Sequence, residues 1–243
     1  MNILFTIRTA NRAPKRNYLR ETVRSLHVGG VAAADIHIFP TDPDIEWLLS
    51  ERFDHATSIH EAFEPRLPNA NGLAPIAYLD ECQADWIVLS EDDLEWNRDP
   101  LGSIARWLAD YARPFVSVYR FFAFDRLTGL HTHAAKAPLR EQKGSQAVAL
   151  RATDARRFAA WAQAHPLDWR PKDAPYQDQP HNGFDKLIGY WALQDGAVDY
   201  GLVSQPFFVR HLGVESSLHH VGRRMDAAFG GAHWTYTSAR ATA

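Results

Sequence analysis

Three consecutive carboxylates, Glu91-Asp92-Asp93, follow almost directly on the apolar run Trp86-Ile87-Val88-Leu89. That run reads as a buried strand, β-branched and aromatic with no polar interruption. The acids therefore come at a strand's carboxyl end, where open α/β sheets bind their ligands. Crowded acids repel one another unless a positive charge sits between them, and carboxylate oxygens suit Mg2+, Mn2+ or Ca2+. The competing reading is a solvated acidic turn that caps the next helix.

Three other groups of residues carry chemistry. Arg8, Arg12, Lys15 and Arg16 crowd the segment that follows the first apolar run, residues 3–7. Guanidinium forks match phosphate or carboxylate oxygens; a solvated basic loop is the plain alternative. Asp185 falls in the first turn of a helix expected over 183–193. An acid there either complements the helix dipole or faces a cleft as a general base. His211 ends an extended stretch, 206–211, and is either a structural histidine or a metal ligand, if the fold carries it to the acids. His131-x-His133 has no nearby Cys or carboxylate, which argues against zinc. The chain has no Gly-x-Gly-x-x-Gly, no Walker loop and no Gly-x-Ser-x-Gly elbow, which removes the main support for dinucleotide, P-loop and hydrolase readings. Cys82 lacks the basic neighbours that make a thiol nucleophilic.

The elements that must hold these groups follow from spacing. Residues 3–7 form a strand, and Leu19, Val23 and Leu26 recur at helical spacing. Asn17 is the expected N-cap of that helix and Gly29-Gly30 its stop. Residues 36–39 form a second strand, so the chain opens strand, helix, strand, which favours parallel pairing through a right-handed crossover. Short helices are expected over 45–53 and 73–82. Asp99-Pro100 starts another, as N-cap and first residue. Strands are expected over 115–122 and 147–150, an edge hairpin within 124–137, and a helix over 154–165. Residues 201–204 read as extended. Residues 166–180 are rich in Pro, Asp and Trp without periodicity, and loops of that length are usually functional.

With 243 residues, 46% hydrophobic and 23% charged, the chain is sized and composed for one α/β domain. A net charge of −3 supplies no overall basic field for nucleic acid. One cysteine allows no internal disulfide. The first residues read as a strand rather than a signal peptide, and no apolar run approaches a membrane span, so cytoplasmic residence is expected.

Four stretches, in this order, resemble the GT-A glycosyltransferases. Thr6-Ile-Arg8-Thr9-x-x-Arg12 followed by Tyr18-Leu19-x-x-Thr22-x-x-Ser25-Leu26 resembles their nucleotide-binding start. Ser90-Glu91-Asp92-Asp93 resembles their DxD-type acidic motif. Gly183-Phe184-Asp185 resembles the helix start that carries the base in inverting members. Pro206-x-x-x-x-His211-x-Gly213-x-x-Ser216-Ser217 resembles their C-terminal segment. The first and last patterns most resemble the N-acetylglucosaminyltransferase IV group, whose membrane anchor and additional C-terminal sequence are not expected here.

The resemblance implies a GT-A, Rossmann-like fold: a mostly parallel central sheet flanked by helices, in one domain. Within it, residues 1–98 or thereabouts would bind the nucleotide and about 99–243 the acceptor. It implies a nucleotide-sugar donor, a UDP-sugar, and Mn2+ or Mg2+ held by Asp93 with His211 as second protein ligand. Thr6, Arg8 and Arg12 would line the base and diphosphate pocket; Glu91 would lie nearer the ribose and Asp92 nearer the sugar. Asp185 would take the acceptor's proton, with inversion. The acceptor is left open among a glycan, a small molecule and, with Arg210, Arg223 and Arg224 as a patch, a nucleic acid. Two other classes stay open: a nucleotide-sugar-binding protein without turnover, and a metal-dependent phosphoryl-transfer enzyme, since acids at a strand end serve those too.

Overall fold

The structure, a computed structural model, describes residues 1–11, 17–41, 46–50, 58–60, 68–111, 115–117, 128–131, 134–138, 147–165, 184–194, 200–204 and 208–212. Along the chain run β1 (Ile3–Thr9), α1 (Leu19–Val28), β2 (Ile36–Pro40), α2 (Glu46–Ser50), β3 (Ser58–Ile59), α3 (Pro68–Ala77), β4 (Trp86–Glu91) and β5 (Leu94–Trp96). There follow α4 (Pro100–Tyr111), β6 (Phe115–Ser117), β7 (Thr128–His131), β8 (Ala134–Pro138), β9 (Ala147–Arg151), α5 (Ala152–Ala164), α6 (Phe184–Gln194), β10 (Tyr200–Ser204) and β11 (Val209–His211).

Nine strands form one sheet in the order β3-β2-β1-β4-β9-β6-β10-β8-β7. Strands β1 to β4 are mutually parallel, and only β9 and β8 run against the rest. The sheet is thus mixed and mostly unidirectional, with helices on both faces. β5 and β11 form a separate antiparallel pair.

Strand alternation divides β1 between two cores. Ile3, Phe5 and Ile7 pack with Leu19, Val23 and Leu26 of α1, Trp107 of α4, and Trp96 and Val209 of the β5–β11 pair. Leu4, on the other face, joins a core of Ile87, Leu89, Phe158 of α5, and Leu187, Ile188 and Trp191 of α6. A fully buried Phe or Trp in such a core is worth about 3–5 kcal/mol against alanine. Tyr18 rather than Asn17 occupies the N-cap position of α1, and the other local signals fit the bounds. Asn17 Oδ1 accepts the Leu19 N–H at 2.8 Å, Gly30 takes the positive φ that closes α1, and Asp99 Oδ1 accepts the Gly102 N–H at the start of α4.

At the β2–β3 edge two histidines are packed together. His37 Nδ1 lies 3.1 Å from His60 Nε2, the His60 ring stacks on Phe39 with centroids 4.2 Å apart, and Tyr78 packs on both imidazoles. Burial lowers both pKa values: that of His60 falls to about 4, with His37 adding to the effect, and that of His37 falls despite the opposing pull of Asp35. The folded state therefore binds fewer protons than the unfolded chain below pH 6.5. Their contribution to stability is full above 6.5 and is lost as the pH falls towards 4. Thermal melts across this window are expected to show the melting temperature dropping with pH. His60→Phe, which keeps the stack and removes a proton site, flattens the drop; an unchanged slope would assign it to other groups.

Candidate functional site

Topology fixes where a site can form. The chain leaves β1 for β2 and β3 on one side, then returns to place β4 on β1's other side. The order reverses at β1, which puts the carboxyl ends of β1 and β4 at the switch point where open α/β sheets take their ligands. The register sets Arg8 opposite Glu91. Glu91 and Arg8 thus meet where two parallel strands end.

Each acid takes a different partner. Glu91 Oε1 lies 3.4 Å from Arg8 Nη2, and Glu91 remains partly exposed. Asp92 is 1% exposed, and its Oδ2 accepts the Thr9 hydroxyl at 2.6 Å. Asp93 is 3% exposed, and its Oδ2 lies 3.0 Å from His211 Nε2. Alternation explains the divergence: Glu91 shares a face with Arg8, and Asp92 turns to the opposite face with Thr9. Thr6 and Asp92, expected to line the donor pocket, each have a hydrogen-bond partner within the protein. The Thr6 side chain is fully buried and its hydroxyl donates to the Val88 carbonyl at 3.0 Å. The physical reason is that a polar side chain on a buried strand must find its hydrogen bonds within the protein.

The acidic turn is held from α1. Thr22 Oγ1 donates to the Asp92 carbonyl and accepts the Leu94 N–H, both at 2.9 Å, so one hydroxyl straddles Asp93. One turn on, Ser25 Oγ accepts the Trp96 N–H at 3.1 Å and donates to the Thr22 carbonyl. The Thr-x-x-Ser spacing puts both hydroxyls on one helix face, which gives that motif a physical purpose. Thr22→Val keeps the shape but leaves a buried carbonyl and a buried N–H without their partner. It is expected to cost about 1–3 kcal/mol in denaturant unfolding, while Thr22→Ser retains most of the stability. A loss in Thr22→Ser with stability retained in Thr22→Val would locate the effect in the methyl group instead.

His211 arrives through the β5–β11 pair. Val209, Arg210 and His211 pair with Trp96, Glu95 and Leu94. The ladder extends at both ends: the Leu212 N–H donates to the Asp93 carbonyl at 2.7 Å, and the Asn97 N–H to the Phe208 carbonyl at 2.9 Å. Arg210 forms an ion pair with Glu95 across the rung. Backbone pairing thus fixes the histidine beside the acid. The complementary charges of Glu95, between Leu94 and Trp96, and Arg210, after Val209, were the available sequence signal for this pairing. A cleft of about 570 Å³ lies on the α1 side of the pair, lined by Ser25, Trp96, Arg98 and Leu212 among others, and by none of the Glu91–Asp93 acids.

Asp93 Oδ2 and His211 Nε2 meet at an ordinary hydrogen-bond distance of 3.0 Å, and a carboxylate and an imidazole are donors that a divalent transition metal such as Mn2+ could share. Among the described residues no group of three His, Cys, Asp or Glu side chains is arranged to hold a metal. This pair alone would need the remaining positions filled by substrate oxygens or water, the usual habit of Mg2+ with nucleotides.

Asp185 is the second residue of α6. The residue before it, Phe184, receives the Arg8 guanidinium over its ring, Cζ to centroid 4.8 Å. The first turn of α6 therefore meets the end of β1. No local pattern signals this contact, because a phenylalanine before a motif residue reads as core. Arg12, His133, residues 166–180 and everything after Leu212 lie outside the described residues. Cys82 is partly buried, and desolvation raises its thiol pKa, opposite to what a nucleophile needs.

No protein-family model and no curated protein sequence matches the chain. Its architecture is nevertheless shared with solved structures. S. aureus TarS 1-349 in complex with UDP-GlcNAc is similar with a TM-score of 0.50 at 11% identity, over 84% of this chain and 55% of that one. A CMP:2-keto-3-deoxy-manno-octonic acid synthetase complexed with CTP gives 0.51 at 11% identity, over 84% and 88%. The mannose-1-phosphate geranyltransferase of Thermus thermophilus gives 0.51 at 10% identity, over 84% and 74%. The chain thus spans about half of the TarS fragment. At these identities the likeness establishes the fold: a GT-A-like, Rossmann-like α/β architecture that glycosyl- and nucleotidyltransferases share. Among the described residues no helix is long and apolar enough to cross a membrane.

Proposed function

We propose that this protein is a metal-dependent, inverting glycosyltransferase that moves a sugar from a UDP-sugar to an acceptor hydroxyl. The observation that carries the reading is the Asp93–His211 contact of 3.0 Å at the switch point of the sheet. Two motif residues far apart in sequence meet where a nucleotide-binding sheet takes its ligand.

Asp93 and His211 would hold Mn2+ or Mg2+. When bound, the cation supplies positive charge for the diphosphate leaving group. Arg8 presents its fork to phosphate oxygens from the end of β1, and Arg12 follows in the same basic segment. Glu91, partly exposed beside Arg8, accepts from donor hydroxyls on the ribose side. Asp92 and Thr6 brace the strand ends from within. Asp185 takes the proton of the acceptor hydroxyl as that oxygen attacks the anomeric carbon. The bond from anomeric carbon to diphosphate oxygen breaks, and UDP departs with the electron pair.

The motif likeness carries the finer assignment, to the N-acetylglucosaminyltransferase IV group, and with it UDP-N-acetylglucosamine as first donor to try. A glycan or small-molecule acceptor fits the net charge better than a nucleic acid. The nucleotidyltransferase-like coverage of the synthetase above keeps one second reading in play, phosphoryl chemistry on a nucleoside triphosphate. A panel of nucleotide sugars and nucleoside triphosphates, assayed with Mn2+ and with EDTA, separates the cases. Release of UDP from a UDP-sugar supports the proposal. Release of pyrophosphate from a triphosphate replaces it with the second reading, and tight UDP binding with no turnover makes the protein a binder.

A further inference from the structure

Phe184 opens α6 and is 5% exposed. Its ring meets three elements at once. Arg8 of β1 lies over one face, 4.8 Å from the centroid. Gly72 of α3 approaches so closely that a Cβ at that position would overlap the ring. Phe158 of α5 packs edge-on, with centroids 5.5 Å apart and planes at 78°. The ring is therefore seated in a slot shaped by its neighbours. The next residue in the chain is Asp185.

Arg8 joins two parts of the site. It lies 3.4 Å from Glu91 at the end of β4 and stacks on the ring that starts α6. A guanidinium stacks through its flat face and hydrogen-bonds through its edges, so one arginine can hold a ring and a phosphate together. We infer that Phe184 is a positioning residue that couples occupation of Arg8 by a nucleoside diphosphate to the placement of the first turn of α6, and so of Asp185. This rests on the glycosyltransferase reading for the identity of the ligand. A diphosphate that fixes the guanidinium also fixes the face on which Phe184 lies, and the helix start follows.

The coupling is tested on the full chain by hydrogen exchange at the amides of residues 188–191, whose helical bonds run back to the carbonyls of the first turn. Wild type, Phe184→Leu, Phe184→Tyr and Gly72→Ala are compared with and without UDP and Mn2+. Leucine fills the slot without a π face, tyrosine keeps the face, and Gly72→Ala displaces the ring without changing it. UDP is expected to slow exchange about tenfold in wild type and Phe184→Tyr, the scale of a desolvated cation–π contact, and hardly at all in the other two. In those two, kcat for transfer falls about tenfold while the Kd for UDP stays within about threefold. UDP binding that leaves exchange unchanged in wild type, or slows it equally in Phe184→Leu, overturns the coupling. If calorimetry shows that wild type binds no nucleoside diphosphate, the glycosyltransferase reading itself fails and the coupling falls with it.

Discussion

Asp93→Ala is expected to reduce sugar transfer by at least about 10²-fold, since removing even a partner of a metal ligand commonly costs about 10–100-fold. The carboxylate is almost fully buried, and its main chain is pinned by the Leu212 N–H and by Thr22 on either side. The substitution therefore leaves the turn's backbone bonds in place and removes one of the two proposed protein donors. Mn2+ should raise the melting temperature of wild type, because a ligand that binds only the folded state stabilises it, by about 2.7 kcal/mol at a hundredfold excess over Kd. That increase should vanish in Asp93→Ala and shrink in His211→Ala. EDTA should reproduce the kinetic defect in wild type. Full transfer in EDTA would remove the metal from the mechanism whatever the variant does.

Asp185→Asn is expected to lower kcat by about 10²–10⁴-fold, the usual worth of a general base, with UDP affinity unchanged. The alternative assignment, a carboxylate that only complements the α6 dipole, makes a different forecast. It limits the loss to about 0.3–1 kcal/mol of stability, with turnover intact. Measuring kcat and the unfolding free energy of the same variant separates the two. A variant that melts slightly earlier but transfers sugar normally would deny Asp185 the base's role.

Much of the N-terminal half is legible in the sequence because its signals are local. Apolar runs mark β1, β2 and β4, helical spacing marks α1, and Gly29-Gly30 and Asp99-Pro100 mark helix ends. The acids were visible for the same reason, as residues at the end of an unbroken apolar run. Other features depend on contacts that no window of sequence contains. β5 is three residues long, too short for any period to register. β9 reads as one more strand between helices, yet it lies antiparallel between β4 and β6, because pairing direction is decided by how the chain re-enters the sheet. Thr6 and Asp92 have the side chains of ligand-binding residues, and only the sheet register reveals that each also takes a hydrogen-bond partner inside the protein. Thr22 and Ser25 look like ordinary polar positions on a helix until the acidic turn is set against them.

The short β5–β11 ladder has a consequence for when the protein becomes competent. Its central ion pair joins residues 115 positions apart, whereas the parallel strands on which the acids stand are complete by Glu91. On the ribosome the acids emerge long before the histidine that partners them. A nascent chain whose first half has collapsed correctly carries the carboxylates but not the pair. Closing so long a loop adds little thermodynamic cost over a shorter one, yet it makes the site a late event in assembly. A slip of one residue in the ladder would also turn His211 to the opposite face. Correct register in the β5–β11 ladder is therefore what brings His211 to Asp93, well after the strands that carry the acids have left the ribosome.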